Sequence, residues 1–306
     1  MAAIYIGMSG WRYAPWRGDF YPKGLVQKNE LKFASRAVNS IEINGSFYAL
    51  QTPERYRGWA ADTPERFVFS IKAPRLITHI KRLHDIEQPL ANFFASGLGQ
   101  LDDRLGAILW QFPPSFKFDA ALMEAFLAQL PTDGKAAKKL ASQSDERMQV
   151  EGYLDWQGKR ALRHAVEIRN DSFVDPAFIA LLRKFNVALV IADTAKKWPY
   201  AEDLTADFVY MRLHGDKKLY SSGYSDAALK RWHKRMDAWR HGKQPDDAHL
   251  ISPDSKPSPG PRDIYCYFDN DIKVRSPYDA RALLESFDLT GALLTRPGEL
   301  PQGIEL

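Results

Sequence analysis

Several short apolar runs in this chain end on charged or amide side chains, and this repetition restricts the fold more than any other feature. The run YMRLHG, residues 210–215, is one example: an apolar stretch that finishes on a cation, an imidazole and a glycine. Charged residues at the C-terminal ends of apolar strands are typical of the active-site face of a (β/α)8 barrel. The ends of these runs carry Glu42 and Asn44, Lys72, Glu167 and Arg169, Asp193, and Arg212 and His214.

The apolar runs alternate with longer segments of helical period, which predicts βα units and a parallel sheet. Eight such runs occur, and eight is the strand number of the barrel. We therefore predict an α/β protein with a single (β/α)8 TIM-type barrel, parallel strands and loop insertions, over residues 1–306. The predicted strands are residues 4–8, 38–43, 67–71, 105–110, 163–168, 187–192, 208–213 and 264–268.

Two segments are predicted to be insertions in this scaffold. Residues 133–159 are polar and rich in Ala, Lys and Gln, and residues 241–262 contain five prolines, which is typical of an exposed loop. Apolar residues at helical spacing predict helices elsewhere, including one that passes through Phe93, Phe94, Leu98 and Leu101.

Composition excludes several classes of protein. The single cysteine, Cys266, rules out an internal disulfide and any CxxC motif, and it fits a reducing compartment. The N-terminal residues are interpreted as a first strand and not a signal peptide, and no apolar run approaches the roughly 18 residues of a membrane helix. We expect a cytoplasmic protein without a membrane partner. A net charge of +4 permits an anionic partner without requiring one.

Six motifs occur in an order that closely resembles the YecE-like family, also called domain of unknown function 72. The resemblance covers nearly all of the chain and implies a TIM-type barrel without a settled activity. The family resembles the apurinic-endonuclease and xylose-isomerase barrels in fold, and a shared fold does not transfer function. The chain departs from the family at Asp269-Asn270, where Asn-Asn is usual. The motifs are SGW with FYP (9–11, 20–22), IEINGSFY (41–48), SIKAP with TH (70–74, 78–79), QFPP (111–114), VEIR (166–169) and YMRLHG (210–215).

The candidate site combines carboxylates, cations and polar groups at the strand ends. General acid–base catalysis needs carboxylates or a histidine whose pKa is shifted by such neighbours. In this hypothesis Glu42 or Glu167 is the base and His214 the acid, with Asp193 as a further catalytic carboxylate. The predicted substrate-binding residues are Asn44, Tyr48, Lys72, Gln111, Arg169, Arg212 and Asn270, of which Lys72, Arg169 and Arg212 hold an anion.

The same residues allow a structural interpretation. Glu42, Glu167, Arg169 and Arg212 could form an ion-pair network that closes the mouth of the barrel. In that case Arg212 neutralises buried carboxylates and does not bind a ligand.

A metal is the alternative for the carboxylates. One divalent ion held by Glu42, Glu167, Asp193 and His214 is conceivable, but no metal ligand is assigned. A multi-metal cluster is not expected, because His214 is the one histidine among seven at a strand end.

The loop after the third strand is basic. Lys72, Arg75, His79, Lys81 and Arg82 could line one wall of the mouth and bind phosphate, or form a solvated surface. Aromatic residues of the first two βα loops, including Tyr13, Phe47 and Tyr48, could add surfaces for stacking.

Three functions remain open from the sequence. Hydrolysis of a phosphodiester ranks first by analogy to nuclease barrels, and isomerisation of a sugar phosphate ranks second. A non-catalytic protein that binds the nucleic-acid backbone is the third, and steep weakening by salt would distinguish it. The sequence does not specify the oligomeric state.

Overall fold

A computed structural model contains eight parallel strands that close into a barrel in sequence order, with the first strand paired to the last. It describes residues 2–148, 150–158, 160–255 and 257–299. The (β/α)8 prediction is confirmed, and every predicted strand boundary lies within two residues of the observed one. The strands are β1 (Ile4–Ser9), β2 (Ser40–Ile43), β3 (Val68–Lys72), β4 (Leu105–Gln111), β5 (Arg163–Glu167), β6 (Ala188–Asp193), β7 (Phe208–Leu213) and β8 (Asp263–Phe268).

Side chains alternate along each strand between the barrel interior and the surrounding helices, as the pleat requires. In β7, Tyr210 packs in the inner cluster with residues of other strands, whereas Val209 and Met211 pack in the outer core. Arg212 follows Tyr210 with the same phase, so it also faces the barrel axis. This alternation decides which charged residues reach the site.

The interior of the barrel contains several hydrogen-bonded hydroxyl groups below the site. The Tyr267 hydroxyl lies 2.7 Å from Oγ of Ser40 and donates to Oγ of Ser70 at 2.8 Å. The Tyr210 hydroxyl donates to Glu42 Oε2 at 2.6 Å. Buried polar groups must be hydrogen-bonded, and these bonds satisfy the hydroxyl groups inside the barrel. One of them, from Tyr210, reaches the buried carboxylate of Glu42.

The helices between the strands begin where the sequence places capping residues. Thr52, Asp175 and Ser225 each accept a hydrogen bond from a backbone N–H in the first turn of the helix that follows. No helix in the described part of the chain is long and apolar enough to cross a membrane. The helices are α1 (Glu30–Ala37), α2 (Gly45–Tyr48), α3 (Pro53–Asp62), α4 (Glu87–Ala95), α5 (Ala120–Gln129), α6 (Gly134–Ala141), α7 (Pro176–Lys184), α8 (Asp226–Arg240) and α9 (Arg275–Ser286).

The helix predicted through Phe93 and Leu101 is interrupted. At Gly97 it divides into α4 and a 3-10 segment, Leu98–Arg104. Gly97 has a φ of 114°, which glycine adopts with little steric strain. A side chain at Gly97 would also clash, because a Cβ atom there would lie 2.4 Å from Cα of Pro53.

The two proposed insertions differ in structure. Residues 133–159 include α6, which begins at the capping residue Asp133, and the segment is tied to α4 by the Tyr153 N–H bond to Ala95. Residues 241–255 and 257–262 contain no helix or strand. The second segment is nevertheless anchored, because the Asp203 carboxylate accepts from the N–H groups of Ile251 and Ser252. Treating them as insertions in one domain remains a prediction.

Candidate functional site

The C-terminal ends of the strands bring polar residues from distant parts of the sequence into one layer. The register pairs Ser9 of β1 with Glu42 of β2, and Gln111 of β4 with Glu167 of β5. Arg212 of β7 pairs with Tyr267 of β8. Because parallel strands end on the same side of a barrel, these side chains converge at its mouth.

Arg212 lies at the centre of this layer and is fully buried. Its Nε and Nη2 donate to the two oxygens of Glu42 at 3.1 and 2.9 Å, and its Nη1 donates to Glu167 at 2.8 Å. Nη2 also donates to Asp269 Oδ2 at 2.9 Å. Each nitrogen of the guanidinium group therefore has a carboxylate partner.

The two glutamates are satisfied by further donors. Glu42 accepts from Oγ of Ser9 at 2.9 Å in addition to Tyr210, and both of its oxygens are bonded. Glu167 Oε1 accepts from Gln111 Nε2 at 2.9 Å and from Arg169 Nε at 2.8 Å. We call Glu42, Glu167, Arg169, Arg212 and Asp269 the arginine–carboxylate cluster. Four of its members are the network that the structural interpretation anticipated.

Burial raises the pKa of Glu167, but Arg169 and Arg212 outweigh it and hold this pKa well below its usual range. The pKa of Asp269 is also lowered, against the effect of burial, mainly by Arg212 and then by His214. Three carboxylates and two guanidinium groups leave one negative charge. The ammonium group of Lys72 balances that charge when it is protonated.

A pocket of about 740 Å³ lies on top of the cluster, within the range of small-molecule sites. We call it the mouth pocket. Of the residues predicted to bind substrate, six line it: Asn44, Tyr48, Lys72, Gln111, Arg169 and Arg212. The other lining residues are Tyr13, Phe47, Arg75, His79, Tyr220, Asp269, Asp271 and Ile272.

Lys72 is a partly buried cation of the pocket. Its Nζ lies 4.3 Å from the centre of the Phe47 ring, and no residue in the described ranges accepts a hydrogen bond from it. Burial and the positive charge of Arg212 lower the pKa of Lys72 to about 8. The ammonium group faces the pocket without a protein acceptor, and an anionic ligand would supply one.

Two arginines stand beside Lys72. Arg169 uses Nε for Glu167 and stacks on Trp198 at 3.8 Å, while its terminal nitrogens have no acceptor among the described residues. Arg75 has no hydrogen-bond or ion-pair partner in the same ranges. Burial, and then the charges of Lys72, Arg169 and Arg75, lower the pKa of His79 to about 4, so His79 is neutral at pH 7.

Asp271 is the carboxylate that sequence reasoning missed. It lines the mouth pocket, and burial together with the charge of Asp269 raises its pKa to about 6. Unlike Glu42, Glu167 and Asp269, it forms no ion pair with a described residue. A carboxylate with a pKa near neutrality and access to a pocket is suited to accept a proton.

Five residues expected in the site do not line the pocket. Glu42 and Glu167 lie in the arginine–carboxylate cluster beneath it, and the other three are Asp193, Asn270 and His214. Asp193 has the outward phase of β6 and contacts the Tyr224 hydroxyl at 3.2 Å, towards α8. The Asn270 side chain donates to Ser222 and Asp279. His214 is fully buried and does not line the pocket, and its Nδ1 lies 3.0 Å from Asp269 Oδ2.

The basic loop is also divided. Lys72, Arg75 and His79 line the mouth pocket, whereas Arg82 turns away and donates to Ser115. Of the basic residues predicted to line one wall of the mouth, those from Lys72 to His79 therefore line the pocket, and Lys81 and Arg82 do not.

The four ligands considered for a single divalent ion do not converge. Asp193 faces α8, and Arg212 occupies Glu42 and Glu167. No group of three or more His, Cys, Asp or Glu side chains in the described ranges has a metal-binding arrangement.

We accordingly predict that purified protein contains less than one equivalent of transition metal per chain. Elemental analysis after dialysis against metal-free buffer measures this directly. Dialysis against excess zinc serves as the positive control for adventitious surface binding. One or more tightly held transition-metal ions per chain would contradict the prediction.

Fold and site together define a TIM-barrel protein with a polar pocket at the C-terminal face of the barrel. The family model described as "Protein of unknown function DUF72" matches residues 5–303, and the chain belongs to this family. The resemblance found in the sequence is thus confirmed.

Relatives and solved structures agree with this assignment. The chain is 31% identical to the UPF0759 protein YunF of Bacillus subtilis over 121 residues, and 30% identical to YecE of Escherichia coli K12 over 113. These matches cover 37% of this chain and only 41% and 39% of the relatives. A crystal structure of a DUF72 protein from Thermotoga maritima superimposes with a TM-score of 0.68 at 22% identity, covering 94% of this chain and 99% of that one. One from Enterococcus faecalis gives 0.64 at 16%, covering 94% and 96%. At these identities the structures support the fold alone.

Proposed function

We propose that the mouth pocket binds a small anion of the phosphate-ester type and that the protein hydrolyses a phosphodiester there. The observation that carries the proposal is the ammonium group of Lys72, which has no acceptor among the described residues and lines one pocket with Arg75 and Arg169. Charge-assisted hydrogen bonds to phosphate oxygens are short and strong, and arginine offers two parallel donors. Arg212 is left out of this role because carboxylates occupy its donors.

The pocket also holds two groups that can exchange protons near pH 7. Asp271, with a pKa of about 6, would accept a proton from the attacking water. The water oxygen bonds to phosphorus as the ester P–O bond breaks. Lys72, with a pKa of about 8, would donate a proton to the departing alkoxide, so the products are a phosphomonoester and an alcohol. Asn44 and Gln111 would orient the phosphate oxygens from the walls.

Salt dependence distinguishes this proposal from binding to a nucleic-acid backbone. A ligand held by a few groups in a pocket loses little affinity between 50 and 200 mM salt, whereas a protein that makes six or more phosphate contacts loses about 10³-fold or more. A steep slope with single-stranded or duplex oligonucleotides, and no binding of methyl phosphate, would favour the nucleic-acid interpretation.

The pKa of Lys72 leads to a prediction for anion binding. Below about pH 8 the ammonium form dominates, so methyl phosphate should bind well at pH 7 and weaken as the pH rises through 8. Lys72→Met should weaken binding about 10- to 100-fold at pH 7 and flatten its dependence between pH 7 and 9. Isothermal titration calorimetry measures both effects.

Lys81→Met is the matched control, because Lys81 belongs to the same loop but does not line the mouth pocket. It should bind methyl phosphate like the wild type at every pH. Equal binding by Lys72→Met and Lys81→Met would remove Lys72 from the site and with it the basis of the proposal.

A further inference from the structure

An apolar groove of about 480 Å³ opens beside the mouth pocket. It runs between α2 with the two residues after it, the segment Leu76–Ile80, and α4. We call it the side groove. Four large apolar side chains are left exposed along it. The exposed fractions are 72% for Tyr48, 38% for Leu50, 43% for Leu76 and 59% for Ile80.

A local departure from α-helical geometry presents two of these side chains. Residues Leu76–Ile80 form a single π turn, closed by the Lys81 N–H bond to the Leu76 carbonyl at 2.8 Å. The turn buries Ile77 completely and leaves Leu76 and Ile80 on the surface. Single π turns occur frequently at functional sites, where they reposition side chains. The backbone conformation of the turn therefore places Leu76 and Ile80 in the groove.

The side groove and the mouth pocket adjoin each other. Phe47, Tyr48 and Arg75 line both of them. Arg75 is exposed and has no acceptor in the described ranges, so a cation lies where the apolar groove adjoins the basic pocket. A molecule with an anionic group at one end and an apolar group at the other would match the basic pocket and the apolar groove beside it.

We infer that the side groove holds the apolar part of the molecule whose anionic group binds in the mouth pocket. This inference rests on the proposed function and narrows the substrate class to phosphate esters of an aromatic or similarly bulky apolar alcohol. Burial of an aromatic ring against Leu76, Ile80 and the aromatic walls is favourable, because it removes apolar surface from water. The alcohol part of the ester then contributes to affinity in addition to the phosphate.

Binding of phenyl phosphate and methyl phosphate, measured by calorimetry at pH 7, tests the inference. The wild type should bind phenyl phosphate about tenfold more tightly than methyl phosphate. The double variant L76S/I80S should reduce this ratio to about threefold or less, with unchanged binding of methyl phosphate. Leu50→Ser, on a different segment of the groove, should lower the ratio as well.

Val174→Ser is the control, since Val174 is 54% exposed and lines neither cavity. It should keep the wild-type ratio, and thermal melts should show that all variants are folded. Equal binding of both phosphates by the wild type would leave the groove to another occupant, such as an apolar segment of a partner protein, and would overturn the inference while leaving the proposed function intact. A tenfold ratio that survives in L76S/I80S would also overturn it. Failure of both phosphates to bind would refute the proposed function, and the inference with it.

Discussion

Arg212→Met is expected to lower the free energy of unfolding by about 3–5 kcal/mol, because it leaves buried carboxylates without their counter-ion. Glu42 and Glu167 are fully buried, and Arg212 contributes three of the hydrogen bonds to them. Urea unfolding at pH 7 measures the loss as a fall in the midpoint at an unchanged slope. Arg163→Met is the control: its pair with Asp263 is partly exposed, and it should cost about 1 kcal/mol.

The pH dependence of this loss has a definite sign. In the wild type, the lowered pKa values of Glu167 and Asp269 stabilise the fold above about pH 4, and the stabilisation disappears as the pH falls through them. In Arg212→Met the same carboxylates prefer the protonated form. The difference between variant and wild type should therefore be largest at pH 7 and shrink towards pH 4. A variant that unfolds like the wild type but no longer binds methyl phosphate would mean that Arg212 binds the ligand.

The barrel could be predicted from the sequence because its signal is local. Each strand is a short apolar run, and most runs end on a charged or amide side chain, so both boundary and direction can be predicted without distant contacts. Caps such as Asp175 before Pro176 were equally local. Helix α6 was missed because a polar, Ala- and Lys-rich segment shows only a narrow apolar face until it packs on α4.

The site was only partly predictable, for two different reasons. Strand alternation was available in the sequence: Asp193 has the outward phase of β6, and Asp269, directly after β8, continues the inward phase of Tyr267. Alternation could not place Asp271, because it begins a 3-10 turn beyond the end of β8. The pairing was not available, because Arg212 and Glu42 are 170 positions apart and meet only when the barrel closes. Loop residues such as Tyr220 carry no periodic signal at all.

The largest expected effect on activity is that of Asp271→Asn. An amide cannot accept the proton of the attacking water, so turnover of a phosphodiester such as bis(4-nitrophenyl) phosphate should fall about 10²- to 10⁴-fold. Asp279→Asn is a matched control. The pKa of Asp279 is also raised to about 6, mainly by burial. Its carboxylate, however, lies outside the mouth pocket, where it accepts hydrogen bonds from Asn270 and from the Tyr224 N–H. If the effect came from removing any buried carboxylic acid, both variants would lose activity equally.

The pH profile then assigns the two proton-transfer roles separately. The base must be ionised and the acid protonated, so the wild-type rate should rise through about pH 6 and fall through about pH 8. Asp271→Asn should remove the acid limb from the residual activity. Lys72→Arg should move the alkaline limb upward, because guanidinium stays charged in this range. An acid limb that persists unchanged in Asp271→Asn would exclude Asp271 as the base. An alkaline limb that persists near pH 8 in Lys72→Arg would assign it to a group other than Lys72, which would leave Lys72 as an anion-binding residue alone.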